Sequence, residues 1–192
     1  MIFMKTLDLN PKVKIHVFPG GVMPQMKSED GYPDISVRAI CSHESDPANS
    51  SMRKTLFDFD SEPDESLPLY YAECFPRMQQ FRLHSHKEVT LACGFALDYP
   101  YEYTAFIKPR GSTIARGLAN DWDTVPIDPG FRGEAVASIF NKTASSIYIA
   151  KHERLFQLVL LPRIIPVFVS VSFESLSKSA RGHKRNGSSG KH

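Results

Sequence analysis

Short runs of β-forming residues, separated by turn residues, recur along most of this chain and limit the folds open to it. The first is VKIHV at Val13, and RLFQLVLL at Arg154 is among the last. Turn formers such as Gly20-Gly21 and Asp128-Pro129-Gly130 stand between the runs. Many short strands with regular turn signals are typical of a barrel or sandwich, so the sequence predicts an all-β fold. Alternation over residues 167–173 predicts one more strand near the C-terminal end.

The composition argues against several classes of protein. The 192 residues carry a formal net charge of +2, which is too small to indicate a nucleic-acid-binding or membrane-surface protein. The most apolar stretch, residues 155–173, is interrupted by Arg163 and two prolines, so we predict no membrane span. Cys41, Cys74 and Cys93 are odd in number and widely spaced, which argues against a disulfide framework. We therefore expect a cytoplasmic protein (in the host cytoplasm if it is virus-encoded).

Residues 41–68 differ from the rest of the chain because they are polar and acidic. Their single apolar island is Leu56-Phe57. We interpret this segment as a long surface insert that could carry an extra hairpin. The insert belongs to a predicted barrel domain of residues 1–176, and residues 177–192 are predicted to form a flexible C-terminal arm.

Three glycine-containing segments are candidates for chemistry. The run Arg110-Gly111-Ser112 follows a predicted strand and can bind an anion, although a plain surface turn explains it as well. Asp128 and Phe131 project from a tight hairpin, where they can orient water and pack on a sugar or base, or serve only the turn. The basic, glycine-rich residues 180–192 are either a frayed terminus or a phosphate-binding segment.

Five short motifs, taken in order, resemble those of the trimeric dUTP pyrophosphatase (dUTPase) family. EDGYPDISVRA from Glu29 is similar to the first, and GFALDYPYEYTAFIKPRGST from Gly94 contains the second. VPIDPGFRGEAVASIFN from Val125 is the most similar and corresponds to the family's hairpin motif. HERLFQLVLLP from His152 resembles the fourth motif, and RGHKRNGSSG from Arg181 resembles the glycine-rich fifth. Each motif alone is weakly specific, but five in the family's order indicate the family strongly.

The resemblance implies an all-β, dUTPase-like jelly-roll (β-clip) barrel that assembles as a homotrimer with shared active sites. In this family the C-terminal arm is exchanged between subunits and closes over the bound triphosphate with its glycine-rich motif. The family hydrolyses dUTP to dUMP and pyrophosphate by Mg²⁺-assisted water attack at the α-phosphorus, which keeps uracil out of DNA. We therefore expect dUTP as substrate, Mg²⁺ as cofactor, and neither membrane nor direct nucleic-acid binding.

Roles for individual residues follow when the family's motifs are carried onto this sequence. Asp128 would hold the attacking water, and Phe131, where the family usually has Tyr, would stack under the deoxyribose. Asp34 would reach Mg²⁺ through water. The substrate would be bound by Arg110, Gly111, Ser112, Phe131, Gln157, Arg181, Asn186, Gly187, Ser188 and Ser189.

Four departures from the family pattern bear on activity. Pro33 interrupts the first motif, and Gly111 replaces the usual Ser of the second. Phe131 lacks the usual hydroxyl but keeps an aromatic ring. Asn186 stands where the fifth motif normally presents an aromatic that covers the uracil, and Arg185 replaces a glycine beside it. We expect activity with a looser closed state, because base–aromatic stacking contributes about 1–3 kcal/mol.

Other functions fit parts of the same pattern. A dCTP deaminase resembles a dUTPase in fold, but it needs a Glu after the hairpin where this chain has Ser138. A dUTPase-derived domain that only binds a partner protein would explain the altered second and fifth motifs. The basic tail alone would suit a nucleic-acid arm with strongly salt-dependent binding, which nothing in the body of the chain supports.

Overall fold

The computed structural model describes residues 10–26, 31–60, 71–120 and 125–178. These residues form thirteen strands, one short helix α1 (Gly111–Ala115) and two single-turn 3₁₀ helices. The strands are β1 (Lys14–Val17), β2 (Asp34–Ser36), β3 (Ala39–Ser45), β4 (Arg53–Asp58), β5 (Ala72–Phe75), β6 (Gln80–Leu83), β7 (Glu88–Ala92), β8 (Phe95–Asp98), β9 (Tyr103–Pro109), β10 (Leu118–Ala119), β11 (Val136–Asn141), β12 (Ile147–Ala150) and β13 (Arg154–Pro162). The predicted all-β fold is confirmed.

The strands pair antiparallel in four small sheets. A five-stranded sheet has the order β10-β11-β7-β3-β4, and two three-stranded sheets have the orders β12-β6-β5 and β2-β13-β9. The fourth sheet joins β1 to β8. In the sheet of β13, Gln157 lies opposite Asp34 on one side and opposite Lys108 on the other. This register brings the first, second and fourth sequence motifs side by side.

One apolar core joins the inner faces of these sheets. Its largest fully buried side chains include Phe59, Phe81, Phe95 and Phe156, which come from different parts of the chain. Burying one such side chain contributes about 1.5–3 kcal/mol, so contacts between segments distant in sequence hold the barrel together.

The acidic insert is part of the main sheet over much of its length. Residues 41–45 continue β3, and β4 pairs with it so that Ile40 lies opposite Phe57. β3 and β4 form a hairpin, as the sequence allowed, and residues 42–56 are exposed or half-buried. Phe57 is only 3% exposed, because the one apolar island of the insert packs into the core. Residues 61–70 lie outside the described part of the chain.

The strand predicted over residues 167–173 is not formed. β13 ends at Pro162, and the following residues have no regular structure before a 3₁₀ turn at Phe173. Several large apolar side chains there are exposed, among them Ile164 at 90% and Phe168 at 91%. An alternating segment becomes a strand only beside a free edge, and within the described residues this segment pairs with none.

Two predictions from composition can be compared with the structure. Cys41, Cys74 and Cys93 are free thiols. No helix in the described ranges has the length and hydrophobicity needed to cross a bilayer.

Candidate functional site

The turn predicted from Asp128-Pro129-Gly130 is formed at the surface, but within the described residues its two limbs do not pair with each other as strands. We keep the name hairpin for residues 125–137. The Phe131 N–H donates to the Asp128 carbonyl oxygen at 2.9 Å and closes the turn. On the incoming side, the Ile127 N–H donates to the Ala105 carbonyl oxygen of β9 at 2.8 Å. Asp128 is exposed, and among the described residues its carboxylate has no hydrogen-bond partner. A carboxylate in this state is available to accept hydrogen bonds from water or from a ligand.

Phe131 lies across the outgoing limb of the turn. A Cβ at Gly133 would lie 2.6 Å from the Phe131 Cζ, so only glycine leaves room for the ring in this orientation. The ring remains 38% exposed. The arrangement presents a rigid aromatic surface beside Asp128, as packing against a sugar requires.

A cavity of about 230 Å³ opens beside this hairpin. Its walls are largely apolar and include residues from both limbs of the hairpin. The buried Asn120 donates from Nδ2 to the Ile107 carbonyl oxygen at 3.3 Å. The cavity is lined by Arg53, Ile107, Asn120, Val125, Pro126, Ile127, Asp128, Phe131, Glu134, Ala135, Val136 and Ala137.

A second group of polar residues surrounds Asp34, whose side chain is 2% exposed. The Arg110 Nε lies 2.9 Å from Asp34 Oδ1, and the Arg154 Nη1 lies 3.1 Å from Oδ2. Gln157 donates from Nε2 to Oδ1 at 3.4 Å. Two guanidinium groups face one carboxylate, so this arginine–aspartate cluster keeps an excess of positive charge that suits an anionic ligand.

The short helix after Arg110 is anchored against β13. The Arg110 N–H and the Thr113 Oγ1 both donate to the Leu155 carbonyl oxygen, at 2.9 Å and 2.7 Å. Gly111 and Ser112, in the first turn of α1, are exposed next to the arginine–aspartate cluster in sequence. The region predicted to bind an anion therefore has both charge and accessible polar groups.

The structure gathers the predicted residues into two groups. Asp34, Arg110 and Gln157 are in contact, with Gly111 and Ser112 adjacent, whereas Asp128 and Phe131 lie at the hairpin cavity. None of the residues that line the hairpin cavity belongs to the arginine–aspartate cluster. The five predicted residues of the C-terminal arm lie outside the described residues: Arg181, Asn186, Gly187, Ser188 and Ser189.

The site residues proposed from sequence omit Arg154 and Glu134. Arg154 pairs with Asp34, and the available signal was its place in the fourth motif, three residues before Gln157.

The Glu134 side chain is completely buried behind the hairpin cavity and makes two hydrogen bonds with Arg38, at 2.9 Å and 3.1 Å. It also accepts hydrogen bonds from the N–H groups of Arg53 and Gly94, so it joins β4 and the β7–β8 turn to the segment that precedes β11. Only its acidic character within an apolar run could have indicated this role.

The arrangement around Asp34 limits how a metal ion could bind. A carboxylate offers about four lone-pair positions, and three are taken by Arg110, Arg154 and Gln157. Among the described residues, no group of three or more His, Cys, Asp or Glu side chains could hold a metal ion. The residues therefore fit a cation carried by a ligand's own oxygens, which Asp34 would contact through water, as Mg²⁺ commonly binds with phosphates.

Comparison with known proteins places the chain in a family. The family model for dUTPase matches residues 76–190, more than half of the chain. The deoxyuridine 5'-triphosphate nucleotidohydrolase of Gloeobacter violaceus is 30% identical over 128 residues, which cover 66% of this chain and 83% of that protein. The enzyme of the same name from Leifsonia xyli is 36% identical over 103 residues, covering 53% and 66%.

Solved structures show the same fold. A mutant dUTPase of Staphylococcus bacteriophage 80alpha with dUpNHpp has a TM-score of 0.62 at 19% identity, and the alignment covers 93% of this chain and 98% of that one. A mutant dUTPase from phage phi11 of S. aureus, whose structure reveals coordination of a structural Mg(II) ion, has a TM-score of 0.58 at 15% identity, covering 85% and 99%. The all-β jelly roll, the ordered motifs and the matching family model lead to one conclusion: this chain belongs to the dUTPase family.

Proposed function

We propose that this protein hydrolyses dUTP to dUMP and pyrophosphate. Its family and the names of its sequence relatives support this activity. The structural observation that carries the proposal is the exposed Asp128 carboxylate, which has no partner among the described residues and borders the hairpin cavity. Hydrolysis needs such a group, because a water molecule must be held and aligned beside phosphorus.

The hairpin residues would bind the nucleoside and direct the attacking water. Asp128 accepts a hydrogen bond from the water that attacks the α-phosphorus and contacts the sugar 3′-hydroxyl. Phe131 stacks under the deoxyribose, where a 2′-hydroxyl would collide with the ring. Main-chain N–H and C=O groups of the hairpin limbs contact the uracil edge at the cavity wall. Selectivity for a deoxyuridine then follows from shape and backbone hydrogen bonding.

The arginine–aspartate cluster would bind the triphosphate. Arg110 uses Nε for Asp34 and Nη1 for the Arg154 carbonyl oxygen, which leaves its Nη2 for a phosphate oxygen. Arg154 and Gln157 also keep donors that are not used by Asp34. Ser112 supplies a hydroxyl from the first turn of α1. Asp34 holds the two guanidinium groups in a fixed orientation, so the phosphates meet preorganised positive charge.

Magnesium would bind with the substrate. Asp34 would contact it through water, and the arm residues Arg181, Ser188 and Ser189 would supply further donors to the phosphates. When bound, Mg²⁺ neutralises charge on the phosphate oxygens and makes pyrophosphate a better leaving group.

We further propose a homotrimer in which neighbouring chains share each site. Within one chain the hairpin cavity and the arginine–aspartate cluster have separate linings, as expected if complete sites form between subunits. Residues 163–176 expose a run of apolar side chains that includes Val167 at 89% and Phe168 at 91%. Exposed apolar surface of this extent is typical of an interaction site, and a neighbouring subunit would cover it while residues 177–192 reach its triphosphate. Light scattering should therefore give three times the chain mass.

The substrate is tested by measuring pyrophosphate release from dUTP, dCTP and UTP in parallel, with ammonia release from dCTP as a second readout. We expect pyrophosphate from dUTP alone. Ammonia release would instead support a deaminase, although the buried Ser138 on β11 cannot replace the glutamate that such an enzyme requires. No product from any of the three nucleotides would favour a dUTPase-derived binding protein.

A further inference from the structure

The turn that carries Asp128 and Phe131 is held by the side chain that follows it. Arg132 donates from Nη1 to the carbonyl oxygens of Pro129 at 2.6 Å and Phe131 at 2.9 Å. Its Nη2 donates to Asp98 Oδ1 at the end of β8, also at 2.6 Å. A single guanidinium therefore joins two carbonyl groups of the turn to a neighbouring sheet.

The tip of the turn, from Asp128 to Phe131, combines one closing hydrogen bond with a proline of fixed φ and a flexible glycine. Its closing hydrogen bond joins Phe131 to Asp128, and Gly130 at its centre adds conformational freedom. The Asp128 carboxylate has no hydrogen-bond partner among the described residues, so its position depends on the backbone beneath it. The planar, five-donor guanidinium of arginine suits this task better than an ammonium group, because it can satisfy several acceptors in fixed directions.

Asp98 fixes the guanidinium in turn. Its Oδ1 accepts from Arg132, and its Oδ2 lies 3.3 Å from Lys14 Nζ on β1. The side chains of Arg132 and Asp98 are 48% and 40% exposed, so the pair lies at the surface and outside the core. An exposed ion pair contributes little to global stability, which leaves a local role for these contacts.

We propose that Arg132, oriented by Asp98, is a positioning residue that keeps Asp128 and Phe131 in their working geometry. The inference rests on the proposed function, because it concerns the turn that is assigned there to the water and the deoxyribose. Arg132 acts through the backbone of the turn and not on the nucleotide.

The first test replaces the guanidinium but keeps an unbranched stem. We expect Arg132→Met to lower kcat for dUTP by about 10- to 100-fold, because a small misplacement of a reacting group has effects of this size. The KM should change by less than about threefold, and Tm should move little. Lys14→Met is the matched control, since it removes the other partner of Asp98 without contact to the turn, and its kinetics should equal those of the native protein.

A double-mutant cycle separates positioning from direct contact. In an Asp128→Asn background, Arg132→Met should cause a much smaller further loss of kcat, limited to the part that comes from misplacing Phe131, because Asp128 is already inactive. Arg132→Lys should recover part of the loss. A native kcat in Arg132→Met, or an undiminished loss in the Asp128→Asn background, would overturn the proposal.

Hydrogen exchange of the nucleotide-free protein tests the role of Arg132 independently of the proposed function. The Phe131 amide closes the turn, so Arg132→Met should accelerate its hydrogen exchange by about tenfold or more, while Lys14→Met leaves it unchanged. An unchanged rate of hydrogen exchange at the Phe131 amide in Arg132→Met would refute the positioning role of Arg132, even if the native protein hydrolyses dUTP. Conversely, if the native protein does not hydrolyse dUTP, the proposed function is refuted. The hydrogen-exchange result then still decides whether Arg132 holds the turn.

Discussion

Asp34 and Asp128 are two carboxylates of one proposed site in opposite environments. Asp34 is buried and bonded to two guanidinium groups and an amide, whereas Asp128 is exposed at the tip of a turn. No described residue bonds to the Asp128 side chain. The difference indicates a division of roles. Asp34, whose oxygens already accept several hydrogen bonds, organises other side chains, whereas Asp128, whose oxygens are available, can bind and orient water.

The largest effect is expected from removing the charge of Asp128. Asp128→Asn should lower kcat for dUTP by about 10²–10⁴-fold, the range for loss of a positioned acid or base, while nucleotide affinity and folding stay nearly native. Steady-state kinetics and binding of dUpNHpp measure the two effects. Glu88→Gln, which also neutralises an exposed carboxylate, is the control and should have native kinetics. Near-native turnover of Asp128→Asn would remove this residue from the mechanism.

Deletion of residues 181–192 should have the next largest effect. We expect turnover to fall about tenfold or more because contacts to the phosphates and exclusion of water are lost, while Tm and the trimer mass are retained. Asn186→Phe in the full chain should tighten binding, since it restores an aromatic cover for the base. Native turnover in the truncated protein would show that the tail has no part in the site.

Asp34→Asn should have a smaller effect on turnover and a clear effect on stability. It leaves Arg110 and Arg154 without their counter-charge, but these side chains are 29% and 38% exposed, so solvent screens part of the loss. We expect a loss of about 1–3 kcal/mol in the free energy of unfolding. The KM for dUTP should rise more than kcat falls. Thermal melts and initial rates check both, and a native KM would separate Asp34 from triphosphate binding.

Phe131→Tyr should change activity very little. The substitution restores the tyrosine that the family usually carries. The Phe131 ring is 38% exposed, so its edge has room for the added hydroxyl. We expect kcat/KM within about threefold of the native value, because the stacking surface is unchanged. Phe131→Ala in the same assay should lose much more, and equal values for the two variants would argue against stacking on the sugar.

The smallest effect is expected from thiol reagents, because the three thiols are buried or half-buried. Burial raises the pKa of Cys41 to about 12 and that of Cys74 to about 11. Only the thiolate reacts with iodoacetamide, so labelling at pH 8 should be slow and should accelerate as the pH rises toward these values. Cys74 should be labelled first, because it is less buried than Cys41 and Cys93. Rapid labelling of Cys93 at pH 8 would contradict the packing of the five-stranded sheet.

The hairpin could be predicted from sequence because its cause is local. Asp128, Pro129 and Gly130 specify a turn by their own backbone preferences, and the apolar run that follows it forms β11 as expected. On the incoming side the described residues make only an isolated bridge between Ile127 and Ala105. The contacts of Asp34 could not be predicted in the same way. Its ion pair with Arg154 joins residues 120 positions apart and depends on the pairing of β2 with β13.

Residues 167–173 show where a local sequence pattern fails to predict structure. Their alternation predicts a strand, but a strand also requires an edge to pair with, and a sequence pattern does not identify that edge. The insert shows why composition can mislead as well. Its polar character favoured a loop, whereas its apolar pair Leu56-Phe57 indicated the hairpin in which Phe57 anchors β4 in the core.

The most direct test of the two roles compares Asp128→Asn and Asp34→Asn in one experiment that measures both kcat for dUTP and Tm. We predict opposite patterns. Asp128→Asn should lose kcat by orders of magnitude at a native Tm, and Asp34→Asn should retain much of its kcat while Tm falls by about 3–10 °C. The account would be contradicted if Asp34→Asn lost turnover as completely as Asp128→Asn at an unchanged Tm.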